Sequence, residues 1–366
     1  MARCSTTVLA DLLTGDTVPP PIAWEDGSLL AAAIEHRVHL LLAERPAGCP
    51  PHINAQLQSA VREGALVEQL QFTSTARVLD ALAGAGVRPV LFKGAALAYT
   101  CYSKPYHRPR NDVDLFIRKQ DEPAVRAVME YAGYRRADAI SGDRVTHQFQ
   151  YSRSDTAGVV CEFDFHWRLA NPALFSDLLT FEEITRDAVD VPALGRTGRA
   201  PSPVHSLFIA CMHRVAHHDD GDHLLWLYDI HLLATSLTIP EWREFESLAV
   251  RTSMRAVCGK GLRLAADLFG TRVPRAIQDA FADAPLEPSA AFIGGGFSRL
   301  DIELSNFRHL SGWRARGQLV WQHLFPDRRY MLNAYHATNP MWLPALYAHR
   351  IARGAVRWVR PMRPVS

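Results

Sequence analysis

The chain has 366 residues, 48% of them hydrophobic and 21% charged, with a formal net charge of +2. That length and apolar share are enough for two or three domains and at least one large core, and so near-neutral a charge gives no global argument for nucleic acid or a membrane surface as partner. Six cysteines with no CxxC spacing exclude a zinc ribbon or a disulfide framework and suit a reducing cytoplasm.

Taken in chain order, the opening "MARCSTTVLADLL" is interrupted by Asp11 and lacks the sustained apolar core of a signal peptide. No stretch reaches the ~20 apolar residues of a transmembrane helix. "SLLAAAIEHRVHLLLAER" (28–45) has the periodicity of one helix between two Pro-rich segments. Residues 54–86 read as one long helix with Leu57, Val61, Leu66, Leu70, Val78 and Leu82 on or near one face. "PVLFKG" is a short strand ending at glycine, and "AALAYTCY" can form a helix. "SKPYHRPRN" must be loop, because two prolines break it. "DVDLFIR" is a strand, and "DEPAVRAVMEYAGY" a helix with an acidic first turn and a glycine stop. "VTHQFQYSR" and "VVCEFDFHWRL" alternate like strands, with "SDTAG" as a hairpin turn between them. The Gly- and Pro-rich 186–203 reads as a boundary, and helices follow at 204–218, 223–237, 240–252, 255–269 and onward to about 355. This order predicts an α+β chain: a helical segment over 1–70, a mixed-sheet catalytic domain over 71–195 and a helical domain over 200–366.

Residues i and i+2 of a strand point to one face. Asp112 and Asp114 therefore project together, and their repulsion calls for a counter-charge. Glu162, Asp164 and His166 share a face of the later strand in the same way. If the two strands are neighbours, three carboxylates converge, a donor set that suits hard divalent cations and substrate phosphates. Taken alone, Asp112 would cap a turn and Asp114 would make a surface ion pair. The strand–Gly–helix unit before them and the second acidic strand after them weigh against that reading.

Lys93-Gly94, "RPRNDVDLFI", Gly133-Tyr134 and "CEFDFHWRL", with "LFIACMHRVAHHDDGDHLLWLYDIHLLA" (207–234), together resemble the bacterial nucleotidyltransferases of the DNA polymerase β superfamily, in a branch with Lys-Gly where Gly-Ser is usual. The resemblance covers roughly 70–240. It implies a minimal mixed sheet with flanking helices and an Mg²⁺-dependent transfer of a nucleoside monophosphate from an NTP, ATP among the candidates, to a hydroxyl or phosphate acceptor. It further implies two Mg²⁺ ions held by Asp112, Asp114 and Asp164, with Asp164 preferred to Glu162 as the third carboxylate because its shorter side chain matches the family position. Gly94 would admit the triphosphate backbone-close, and Lys93 would neutralise phosphate charge. Arg108 and Arg110 would clamp phosphates or else lie in a solvated loop. The spacing from Lys93-Gly94 to Asp112 is longer than in the wider superfamily. The acceptor would be a small molecule or a peptide, with no DNA partner expected.

His213 and His217 stand four apart on one helix face. HxxxH is zincin spacing, but Arg214 replaces the glutamate such an enzyme needs. They are placed at the nucleotide or acceptor, or packed against the sheet; His147 and His166 divide the same way. "HHDD" raises a second class, a His-Asp metal phosphohydrolase using His218, Asp219 and Asp229. A third is a silent nucleotide-binding or regulatory module, against which the clustered acid argues. Trp226, Tyr228 and Leu232 read as core. From Met341 to the end there are five arginines (Arg350, Arg353, Arg357, Arg360, Arg363) and no acidic residue. The tail can be a solvated helix docked through Leu346, Ile351, Val356 and Val359, or a basic amphipathic helix for an anionic membrane, peptide or RNA.

Overall fold

The structure, a computed structural model, describes residues 5–15, 24, 27–44, 48–137, 145–154, 158–282, 284, 287–296, 299–310 and 312–358. It is an α+β fold around one mixed sheet of five strands in the order β1-β2-β5-β4-β3. These are β1 Val90–Leu91, β2 Asp112–Phe116, β3 Arg135–Arg136, β4 Gln148–Ser154 and β5 Val160–His166. The expected hairpin is present as antiparallel β4 and β5, paired out to Ser154 opposite Val160, although most of its turn lies outside the described residues. The decisive pairing is parallel: β2 lies against β5 with Asp112 opposite Glu162 and Asp114 opposite Asp164.

Strand alternation sorts the two faces. Val113, Leu115, Cys161, Phe163 and Phe165 turn one way, into a core with Val78, Leu79 and Leu82 of the long helix Pro51–Gly84 and Val125 and Met129 of the helix Glu122–Tyr131. The opposite face carries Asp112, Asp114, Asp164 and His166. Above it run the helices Pro203–His218 and Leu224–Ser236, whose apolar residues join those of the N-terminal helices, Leu9, Leu13 and Leu29 among them, in a second core. Helices at Ile239–Arg251, Arg255–Phe269 and Arg275–Ala282 complete that layer. The segment 186–203 contains a small pair of strands, β6 Val189–Asp190 and β7 Arg199–Ala200.

Three sequence expectations change. The stretch 28–45 forms two helices, Ser28–Glu35 and His39–Leu42, because Arg37 between them takes a left-handed φ of 56° and gives its guanidinium to Asn111 Oδ1 at 2.8 Å. On the long helix Leu66 is 63% exposed, whereas the buried stripe runs through Glu68, Gln71, Thr75, Val78 and Leu82. Hydrophobicity alone chose Leu66; the face that is buried carries polar groups that reach the site. In the C-terminal helices Trp313–Leu324, Arg328–Ala334 and Leu343–Trp358, Ile351 is 40% exposed where the docked-helix reading buries it, and Leu346 is half-buried. The side chains of Val356 and Val359 lie outside the described residues.

Candidate active site

A cavity of about 350 Å³ opens between the acidic face of the sheet and the helix Pro203–His218. Its floor comes from one strand pairing and one backbone turn. β1 pairs antiparallel with β2, and the Phe92 N–H donates to the Asp114 carbonyl at 3.1 Å. The next residue, Lys93, turns with φ 53° into the helix Lys93–Thr100. A left-handed lysine costs on the order of 1–2 kcal/mol, and this one sits at the start of a helix with its side chain anchored. Strand pairing thus carries Lys93 back across a separation of 21 residues, so that its Nζ lies 2.8 Å from Asp114 Oδ1. The long spacing noted in the sequence is spent on the loop 101–111.

Asp114 Oδ1 also accepts from His166 Nε2 at 2.8 Å. Burial and then the Lys93 charge push His166 down to about 4, so its ring is neutral and Nε2 carries the donated proton. Burial would raise Asp114, but Lys93 and His166 outweigh it and hold the carboxyl well below the usual carboxylate range. The other two aspartates go the opposite way. Burial, then repulsion from Asp114, raises Asp112 to about 6. Burial, then Asp114 and Asp112, raises Asp164 to about 7. Asp164 Oδ2 accepts from Gln148 Nε2 at 3.2 Å, while its Oδ1 is buried with no hydrogen-bond partner. Glu162 is bonded to Gln150 at 3.3 Å and does not line the cavity, whereas Asp164 does.

These residues fit a divalent cation. An orphaned carboxylate oxygen beside two further carboxylates, with one lysine as near counter-charge, leaves negative charge that a cation would satisfy. Ligand atoms of Asp114, Asp164 and His166 lie within 4.8 Å of one another. His166 spends its Nε2 on Asp114 and so fixes the orientation of that carboxylate. Among the described residues one other group has such spacing, Asp187, His205 and Glu244, and it lies away from the cavity.

Arg108 and Arg110 both line the cavity, but neither lies in a solvated loop. Asp229 chelates Arg108 through contacts of 2.8 to 3.0 Å and also accepts from Tyr102 at 2.6 Å. Glu68 grips Arg110 at 2.6 and 3.0 Å, with Tyr99 beside it. Gly94 packs under Arg108; a Cβ there would stand 3.4 Å from Arg108 Nη1. The opposite wall is a row of rings. His213 stacks on His217 at 4.8 Å, meets His218 edge-on at 4.7 Å, and His218 stacks on Trp226 at 3.8 Å. Burial drives His213 and His217 far below the ordinary imidazole range, and His218 to about 4, so the wall is neutral. Trp226, expected in the core, lines the cavity instead; Tyr228 is buried as expected.

A family model described as an uncharacterised nucleotidyltransferase matches residues 21–270 of the chain. The chain belongs to that family. No curated protein matches it. The matched span of this nucleotidyltransferase contains every cavity residue, and the helices beyond 270 fall outside it. The phosphohydrolase reading finds no centre among the described residues: Asp229 is taken by Arg108 and Tyr102, Asp219 accepts from the Gly296 amide at 3.0 Å, and His218 stacks on Trp226. Sequence reasoning missed Glu68, Tyr99, Tyr102 and Gln148. Glu68 had a signal, since it sits at i, i+3, i+7 with Gln71 and Thr75 on the stripe that becomes buried. The others carried none.

Proposed function

We propose that this protein is a polymerase-β-like nucleotidyltransferase that moves a nucleoside monophosphate from an NTP to a hydroxyl or phosphate acceptor and releases pyrophosphate. The observation that carries the reading is the convergence of Asp112, Asp114 and the half-orphaned Asp164 in one cavity, entered by the first turn of the helix Lys93–Thr100. Asp112, Asp114 and Asp164 would hold Mg²⁺, one or two ions. When bound, magnesium supplies charge neutralisation at the attacking and leaving oxygens of an in-line displacement.

The protein's own groups do the rest. Lys93 and the N–H groups opening its helix favour phosphate oxygens, as helix N-termini do. Gly94 keeps that approach free of a side chain. Arg108 and Arg110, already matched by Asp229 and Glu68, form a rigid positive rim that positions phosphates without having to fold onto them. Asp164, whose carboxyl is raised to about 7, would receive the acceptor hydroxyl proton. The neutral ring wall of His213, His217, His218 and Trp226 offers stacking and hydrogen bonding to a base or acceptor without adding charge.

The test is calorimetric titration with ATP, GTP, CTP and UTP, with and without Mg²⁺, of the wild type and of Asp112→Ala/Asp114→Ala. Mg²⁺-dependent binding that the double variant loses is the expected result. Equal nucleotide binding by both proteins would remove the carboxylates from the site.

A further inference from the structure

Beyond Glu303 the chain changes character. Residues 304–366 contain ten arginines, no lysine and a single acidic residue, Asp327, together with four of the eight tryptophans. A chain whose overall charge is only +2 thus concentrates a large positive excess in its last helices.

The same helices leave apolar groups in water. Of sixteen exposed large hydrophobic residues among the described residues, eight lie between Leu304 and Ile351: Trp313, Trp321, Trp342 and Met341 are 79%, 63%, 60% and 84% exposed, and Leu304, Val320, Phe325 and Ile351 complete the set. Among the described residues of this stretch only Leu319 and Met331 are buried hydrophobics, and neither belongs to the two main cores. The helices hold to one another through local contacts instead, such as the Phe325–Tyr347 ring pair at 5.6 Å and the Tyr347 hydroxyl on the Pro326 carbonyl at 2.7 Å. Isolated exposed apolar residues need no explanation, but a run of large ones inside one strongly charged region does.

We infer that the helices Trp313–Leu324 and Leu343–Trp358, with the turn Pro340–Trp342 between them, dock on the surface of an anionic lipid bilayer. Arginine stems and tryptophan rings both have an apolar body and a polar tip, the composition that settles at a headgroup boundary. Surface-lying basic amphipathic segments bind by apolar insertion plus attraction to acidic lipids. Nucleic acid would answer the charge, and tryptophans could stack on bases, but Met341, Val320 and Ile351 have no π-face to offer. A second copy of this chain would bring like charge against like. An acyl–headgroup interface accommodates all of these groups at once. No helix among the described residues is long and apolar enough to cross a membrane, so the association is a lateral one. It is independent of the chemistry assigned to the cavity.

The experiment is co-sedimentation of the full chain with equimolar phosphatidylglycerol/phosphatidylcholine vesicles and with pure phosphatidylcholine vesicles, at low and high salt. Expected is at least a tenfold preference for the anionic vesicles, weakened by salt, with a blue shift of tryptophan emission. Trp313→Ala/Trp342→Ala should cut partition at least tenfold while the thermal midpoint holds. Arg350→Gln/Arg353→Gln, a separate variant, should cut it several-fold and flatten the salt dependence. No sedimentation with either vesicle overturns the proposal, as does equal sedimentation with both. Retention on a single-stranded RNA oligonucleotide with no vesicle binding overturns it in favour of nucleic acid.

Discussion

The sheet region and the C-terminal helices treat polarity in opposite ways. Around the sheet, charged groups are buried: Asp114, Asp164, Arg108, Arg110 and Asp229 are all below a tenth exposed, packed among phenylalanines and histidines. In the C-terminal helices large apolar groups are exposed and arginines surround them. Burying charge costs stability and is sustained only by a strong apolar frame, which the two cores around the sheet supply. Exposing tryptophan costs little in folding but leaves a surface that association would cover. The first arrangement points to chemistry, the second to location.

Within the sheet region two kinds of buried charge can be separated by mutation. Asp114→Asn should lower nucleotidyl transfer by roughly a thousandfold or more, the scale of removing a preorganised charge at a reacting phosphate, while circular dichroism and thermal melting stay native-like. Asp229→Ala should do the reverse in emphasis. It strands Arg108 in a buried site, so we expect about 3–5 kcal/mol of lost stability, read as a large drop in urea midpoint. A catalytic aspartate and a scaffold aspartate would then be told apart by which measurement falls. If Asp229→Ala melted like the wild type, the buried pair would be no scaffold.

Asp164 gives a subtler effect with a sign. Its folded-state affinity for a proton is raised, to about 7, above that of an ordinary aspartate. Its favourable contribution is therefore complete below the unfolded value and lost as pH rises through 7. Asp164→Asn should stabilise the metal-free protein at pH 8, by up to about 4 kcal/mol since the rise is about three units and one unit is about 1.4 kcal/mol, and much less at pH 4. Differential scanning fluorimetry across that range measures it. A variant less stable than wild type at pH 8 would show that Asp164 is held by partners and not strained by neighbours. Mg²⁺ should narrow the gap by stabilising only the wild type, since a ligand bound to the native state adds stability by mass action.

The smallest expected change lies in the other region. Trp313→Ala should alter stability by no more than about 0.5 kcal/mol, as surface substitutions do. A loss several times larger in chemical denaturation would mean that the ring supports the fold, and the contrast between the two regions would fail.

Much of this was legible in the sequence. Period-two alternation placed Asp112 with Asp114 and Asp164 with His166, and helical periodicity with Pro and Gly stops gave the helices from Pro203 to Phe269 closely. The parallel contact of β2 and β5 was only conditional there, because pairing between distant strands leaves no local signature. The partners of the arginines were invisible for the same reason: Glu68 and Asp229 lie 42 and 121 residues from Arg110 and Arg108. Where a polar residue belonged to a buried stripe, as Glu68 does, hydrophobicity pointed to Leu66 instead. The break at Arg37 was missed because no Gly or Pro announces a left-handed arginine.

The parallel register of β2 and β5 has a consequence for how the protein is made. Asp114 and Asp164 meet only after 50 residues of chain have closed into a crossover, and such closure is slow and entropically costly. No fragment ending before β5 contains the site. The mutual repulsion of its carboxylates is then met late, when Phe163, Phe165 and the long helix already hold the strands together. A ribosome-bound chain that has released only the first 150 residues has the lysine, the glycine and the Asp-x-Asp pair in hand, and no active site.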